Sequence, residues 1–153
     1  MAAMADDPTR RVADTPRESW RLTFHFDGES VQLAESERLP MLAPAAVGEP
    51  PRGGENSGAW VEVLDSGGTA LYHQLLHDPF HLRAEHHSPD GRIEVHWRPP
   101  EPTDFEVIVP ALRQAETVSV WATPPDEYER RSAARMQGQF ALHERRGDPH
   151  GRG

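Results

Sequence analysis

Residues 19–27 read SWRLTFHFD, and the alternation in that stretch decides the fold: Trp20, Leu22, Phe24 and Phe26 are apolar, while Arg21, Thr23 and His25 between them are polar. Successive side chains of a strand point to opposite faces, so this pattern predicts a strand with one face buried. Working outward, Asp27-Gly28-Glu29 turns the chain into Val31 and Leu33. AWVEVLD then sets Ala59, Val61 and Val63 on one face and Trp60, Glu62 and Leu64 on the other. TALYHQLLH has ambiguous parity, as a bulged strand would. Leu82 and Ala84 alternate with Arg83 and Glu85 before Asp90-Gly91, which turns into Ile93, Val95 and Trp97. Phe105, Val107 and Val109 make a further strand, and the last places Val118, Val120 and Ala122 opposite Thr117, Ser119 and Trp121. About seven or eight short strands with turn residues between them, and no helix to connect parallel neighbours, predict an all-β antiparallel β-sandwich over residues 19–123, with a barrel as the competing closure.

Within FEVIVPALRQAETVSVW (105–121), the order strand, Pro110-Ala111-Leu112, strand resembles the crossover of immunoglobulin-like and fibronectin-III-like sandwiches, in which a loop Leu packs under the sheet edge. The Cys pair of antibody-type domains and the corner Tyr are missing. The resemblance implies a fold class and no activity, because such sandwiches host many unrelated functions.

Composition narrows the rest. The chain has 153 residues, a net charge of -9 and no cysteine. These exclude disulfide frameworks, thiolate metal sites and thiol nucleophiles, and argue against nucleic acid as partner, since neutralising phosphates supplies most of that affinity. No run approaches the ~20 apolar residues of a membrane helix, and the opening residues lack the apolar stretch of a secretory signal, so a cytoplasmic location is expected. All 16 basic residues are Arg, and with the abundance of Ala, Pro and Gly this points to a high-GC bacterium as source. Residues 1–18, polar with Pro8 and Pro16, read as a flexible tail. Residues 34–58 read as a long loop whose Pro50-Pro51-Arg52-Gly53-Gly54 end predicts disorder. Residues 124–153 read as a charged tail with one short helix, in which Thr123 is the N-cap, Pro124 the first helical position, and Met136 and Phe140 lie on one face.

Three groups of residues are candidates for function. Asp65-Ser66-Gly67-Gly68 looks like the catalytic turn of retropepsin-type aspartic proteases or the nucleophile loop of trypsin-like proteases. It lacks the companion segments of both, and Asp, Ser and Gly are what a tight hairpin turn requires, so no catalytic residue is assigned. Five of the nine histidines (His73, His77, His81, His86 and His87) lie near Asp78 and Glu85, a donor set permissive for zinc. Asp78-Pro79 stops any helix there, and on a strand His73 and His77 stand about 13 Å apart at ~3.3 Å per residue. A site would have to be assembled across strands with His96, and no metal or other cofactor is assigned.

The aromatics give the third group. Parity sends Trp20 and Trp97 inward but Trp60, Leu64, Ile108 and Trp121 outward, an apolar patch that needs a cover, a partner or a ligand. The cover would come from the 34–58 loop or from Tyr128, Met136 and Phe140. The reading that follows is a non-enzymatic protein-interaction or accessory module whose partner is another protein, docking through Trp60, Leu64, Ile108 and Trp121 or by pairing at an exposed strand edge. A His/carboxylate metal-dependent hydrolase and a carbohydrate-binding module are the alternatives.

Overall fold

The computed structural model describes residues 16–144; the expectations for residues 1–15 and 145–153 lie outside them. Along the chain run β1 (Ser19–Phe26), β2 (Val31–Leu39), β3 (Ala59–Leu64), β4 (Ala70–Leu76), β5 (Arg83–His87), β6 (Ile93–Trp97), β7 (Thr103–Pro110), β8 (Thr117–Ala122), a 3-10 turn (Pro125–Glu127) and β9 (Arg135–Ala141). They form a three-stranded sheet β2-β1-β7, a four-stranded sheet β4-β3-β8-β9 and a detached hairpin β5-β6. All pairings are antiparallel. The two larger sheets stack with β2 over β9 and β7 over β4, so the all-β fold closes as a sandwich. No helix among the described residues is long and apolar enough to cross a membrane.

The core sits where the period-2 pattern puts it. Leu22, Phe24 and Phe26 of β1 and Val107 and Val109 of β7 face Val61 and Val63 of β3 and Val118 and Val120 of β8, all buried. Full burial of each such side chain stabilises by about 1.5–3 kcal/mol. Leu112 of the Pro110–Leu112 crossover packs against the same core.

Three bulges shift the parity. Thr23 pairs with Glu35 but Phe24 with Leu33, so Ala34 is an extra residue. Beyond it the inward positions become even-numbered, and the next buried residue of β2 is Ser36, whose hydroxyl donates to the His143 carbonyl. The alternation in β2 therefore looks finished at Leu33 although the strand runs to Leu39. This corrects the loop start from Ala34 to Pro40. Leu71 is the extra residue that made TALYHQLLH ambiguous, and Gln137 plays the same part in β9.

The C-terminal helix expectation is also corrected. Apart from the 3-10 turn, the segment carrying Met136 and Phe140 is strand β9, paired along β8, and Phe140 lies 5.8 Å from Phe24. Thr123 does not cap a helix. Its hydroxyl accepts from the Gly58 N–H (3.0 Å) and donates to the Ser132 carbonyl (2.6 Å). Hydrogen bonding to β8 decides for a strand here, because a thin apolar stripe containing Gly138 has too little to bury as a helix.

Candidate functional site

The outward aromatic patch is covered by the chain itself. Trp60 is 0% exposed and stacks on Trp121, with ring centroids 6.1 Å apart and planes 11° from parallel. Residues 52–58 run back past Trp121 as a strap, with Gly53 against its ring. The Gly54 N–H donates to the Ala134 carbonyl (2.9 Å), the Ala134 N–H to the Asn56 carbonyl (2.8 Å) and the Thr123 N–H to the Gly58 carbonyl (2.7 Å). Further back, His73 donates from Nε2 to the Val47 carbonyl (3.1 Å). The PPRGG stretch is thus an ordered turn, which corrects the disorder expectation: its glycine lies against an indole. A Cβ placed on Gly53 would fall 2.0 Å from Trp121 Cζ3. Gly53→Ala is therefore expected to push the strap off Trp121 and cost about 1–3 kcal/mol, as overpacking does. Chemical denaturation checks it, and an unchanged midpoint would contradict the close approach.

The four residues expected to share a partner surface do not form one. Trp60, Leu64 and Trp121 lie on the outer face of the four-stranded sheet, with Trp60 and Leu64 buried there. Ile108 pairs with Arg21 on the outer face of the other sheet. Parity distinguishes inward from outward within a strand but does not say which sheet the strand joins. The indole N–H of Trp121 is buried without an acceptor among the described residues.

The Asp65 turn is occupied by its own backbone. Oδ1 of Asp65 accepts the N–H groups of Gly67 (2.9 Å) and Thr69 (2.8 Å), the geometry of the β3–β4 hairpin. The histidines do not converge, and no group of three or more His, Cys, Asp or Glu side chains among the described residues could hold one metal ion. The rings of His86 and His96 are 6.2 Å apart, edge to face.

What the sequence reading misplaced is the β5–β6 hairpin. Ile93, Val95 and Trp97 alternate as an inward face would, but β5 and β6 join neither sheet, and these residues are 59%, 41% and 40% exposed. Trp97 is not core; its ring lies 6.5 Å from that of Tyr128. The hairpin tip is the turn Ser88-Pro89-Asp90-Gly91, closed by the Gly91 N–H on the Ser88 carbonyl (3.0 Å) with Gly91 at φ +84°. The Ser88 hydroxyl and the Arg92 N–H on the Asp90 carboxylate hold its pKa below the usual value.

Its root is fixed to the sandwich. Phe80 and Leu82 are buried in the core, and the Asp78 carboxylate accepts the N–H groups of Leu82 (2.9 Å) and Arg83 (3.0 Å). Asp78 (φ +43°), His81 (φ +54°) and Arg131 (φ +52°) all adopt left-handed backbone conformations. Such strain is kept only where the surroundings enforce it. Between the root and the 3-10 turn is a cavity of about 280 Å³ lined by Leu76, His77, Asp78, Arg83, Trp97, Tyr128 and Arg131 among others. Its lining brings the Trp97 and Tyr128 rings together with the Arg83 and Arg131 guanidinium groups and the Asp78 carboxylate. Neither the two arginines nor Tyr128 carries a local sequence signal for this site, because they meet only in the tertiary structure.

Burial, and secondarily the Asp78 carboxylate, push the Tyr128 phenol up to about 12. The neutral phenol is the form the fold favours, so this contribution to stability is complete below pH 10 and is lost as the pH rises through about 12. The chain has two tyrosines, and burial raises Tyr72 as well. An absorbance titration of the folded chain should show tyrosinate forming above the usual pH 10, with Tyr128→Phe removing the upper component. Unshifted titration at pH 10 would contradict this environment. No protein-family model, curated protein or solved structure matches the chain.

Proposed function

We propose that this chain is a non-enzymatic protein-interaction module whose docking element is the β5–β6 hairpin. One observation carries the reading: the hairpin buries none of its strand residues, yet presents Ile93, Val95 and Trp97 on a single face, with outer backbone edges that pair with no other strand among the described residues. Exposed apolar strands are normally blunted by charge, Pro or a covering element, because an open edge recruits another strand. The sandwich supplies a rigid base, and Phe80 and Leu82 anchor the hairpin to it. Immunoglobulin-like sandwiches, which residues 105–121 resemble, serve many roles, so the proposal rests on the hairpin rather than on the fold.

A photo-crosslinking amino acid placed at Ile93 or Val95, in cells that make the protein, tests the reading. The hairpin positions should yield adducts with protein, whereas Val47, exposed in the loop between β2 and β3, should yield none. Equal labelling at all three positions, or none at the hairpin, would count against it.

A further inference from the structure

We infer that the occupant of the β6 edge is a second copy of this chain, joined antiparallel about a two-fold axis at Val95 to make a continuous four-stranded sheet. The inference rests on the hairpin being the docking element and adds which edge pairs, in what register, and with what.

Backbone parity comes first. Within the hairpin the Arg98 N–H donates to the Leu82 carbonyl (2.7 Å) and the Ser88 N–H to the Arg92 carbonyl (2.9 Å). Hydrogen-bonded pairs alternate with non-hydrogen-bonded ones along an antiparallel ladder. The pairs Arg83↔Trp97, Glu85↔Val95 and His87↔Ile93 are therefore the non-hydrogen-bonded ones, and Ile93, Val95 and Trp97 turn their N–H and C=O groups to the open side of β6. A two-fold axis at Val95 sets those groups face to face: Val95 against Val95 of the partner subunit, and Ile93 against Trp97 of the partner subunit. Each facing pair can exchange two backbone hydrogen bonds.

Side chains select the same register. Ile-Glu-Val-His-Trp has the same apolar-polar alternation in both directions, so the apolar face of one copy continues into that of the other. Isologous pairing requires such self-complementarity. On the opposite face, Glu94 meets His96 of the partner subunit, an acceptor against a donor, twice over. In the single chain Glu94 lies 3.4 Å from His96 on its own strand. The β5 edge fails the same test, because an axis at Glu85 would set two carboxylates against each other, and like charges directly opposite are destabilising. Beyond the strand ends Arg92 meets Arg98 of the partner subunit, but Arg92 is already paired with Asp90 at 3.5 Å.

Sedimentation equilibrium of the full chain should show a concentration-dependent monomer–dimer equilibrium. Val95→Pro deletes an outward N–H and leaves the hairpin's own ladder bonds in place, and should weaken the dimer at least tenfold. His96→Glu, which sets like charges across the axis, should weaken it too, while Glu94→His combined with His96→Glu should restore it. Because the chain has no cysteine, register can be read directly. Val95→Cys should be joined to its own copy by a short bis-maleimide. Ile93→Cys or Trp97→Cys alone should not, since equivalent positions are then about 13 Å apart at ~3.3 Å per residue; the two variants mixed should couple to each other. A monomer up to millimolar concentration, a dimer indifferent to Val95→Pro and His96→Glu, or self-coupling at position 93 would overturn the inference. Hairpin photo-adducts with a different polypeptide would overturn it while leaving the docking reading intact, whereas an absence of adducts defeats that reading.

Discussion

Trp60→Ala is expected to destabilise the folded chain by about 3–5 kcal/mol, the range for removing a fully buried aromatic. Trp60 sits on a strand with neighbours on both sides, β4 and β8, so its indole is flanked by Leu75 and Trp121, and it is fully buried. The truncation leaves a cavity beside Trp121 and removes the ring stacked on it. Total stabilities of such domains are about 5–15 kcal/mol, so the loss would be visible in urea or thermal unfolding. Leu75→Ala, on the neighbouring strand but 64% exposed, should fall within about 0.5 kcal/mol of the parent. If Trp60→Ala left stability intact and removed only association, the indole would be a contact residue and the strap a removable cover.

Phe80→Ala should cost a similar ~3–5 kcal/mol and should in addition release the hairpin. Phe80 stacks on Phe26 with ring centroids 4.3 Å apart and meets Phe105 edge-on at 6.0 Å. It belongs to the short segment, Asp78 to Leu82, that ties β5 to the sandwich. Loosening that segment opens the cavity beside Tyr128 to water, so the Tyr128 titration should move back toward pH 10 as stability falls. A stability loss without that movement would show that Phe80 supports the core but not the position of the hairpin. Denaturant unfolding and the absorbance titration on the same variant separate the two outcomes.

The β5–β6 hairpin illustrates how local patterning can be legible while its meaning is not. IEVHW alternates as cleanly as SWRLTFHF, and both are strands. One is inside because β2 and β7 flank it and a second sheet lies across it. The other is outside because its only strand neighbour among the described residues is β5. The pair Trp60 and Trp121 shows the reverse case: their parity is outward, yet Trp60 is fully buried and the segment leading into β3 folds back against Trp121.

By itself the sequence determined the strand character of the chain, the turns at Asp27-Gly28, Asp65–Gly68 and Asp90-Gly91, and the inward identity of Leu22, Phe24, Phe26, Val61, Val63, Val107, Val109, Val118 and Val120. These follow from interactions within a few residues: side-chain alternation, and the short hydrogen bonds and positive φ that turns demand. Only the tertiary structure decided which sheet each strand entered, that β9 was a strand, that residues 52–58 pack back against Trp121, and that β5 and β6 stand apart. The physical reason is that a period of two carries one binary choice per residue, inside or outside, whereas partner strand and cover are set by contacts between residues far apart in the chain, to which that period is blind.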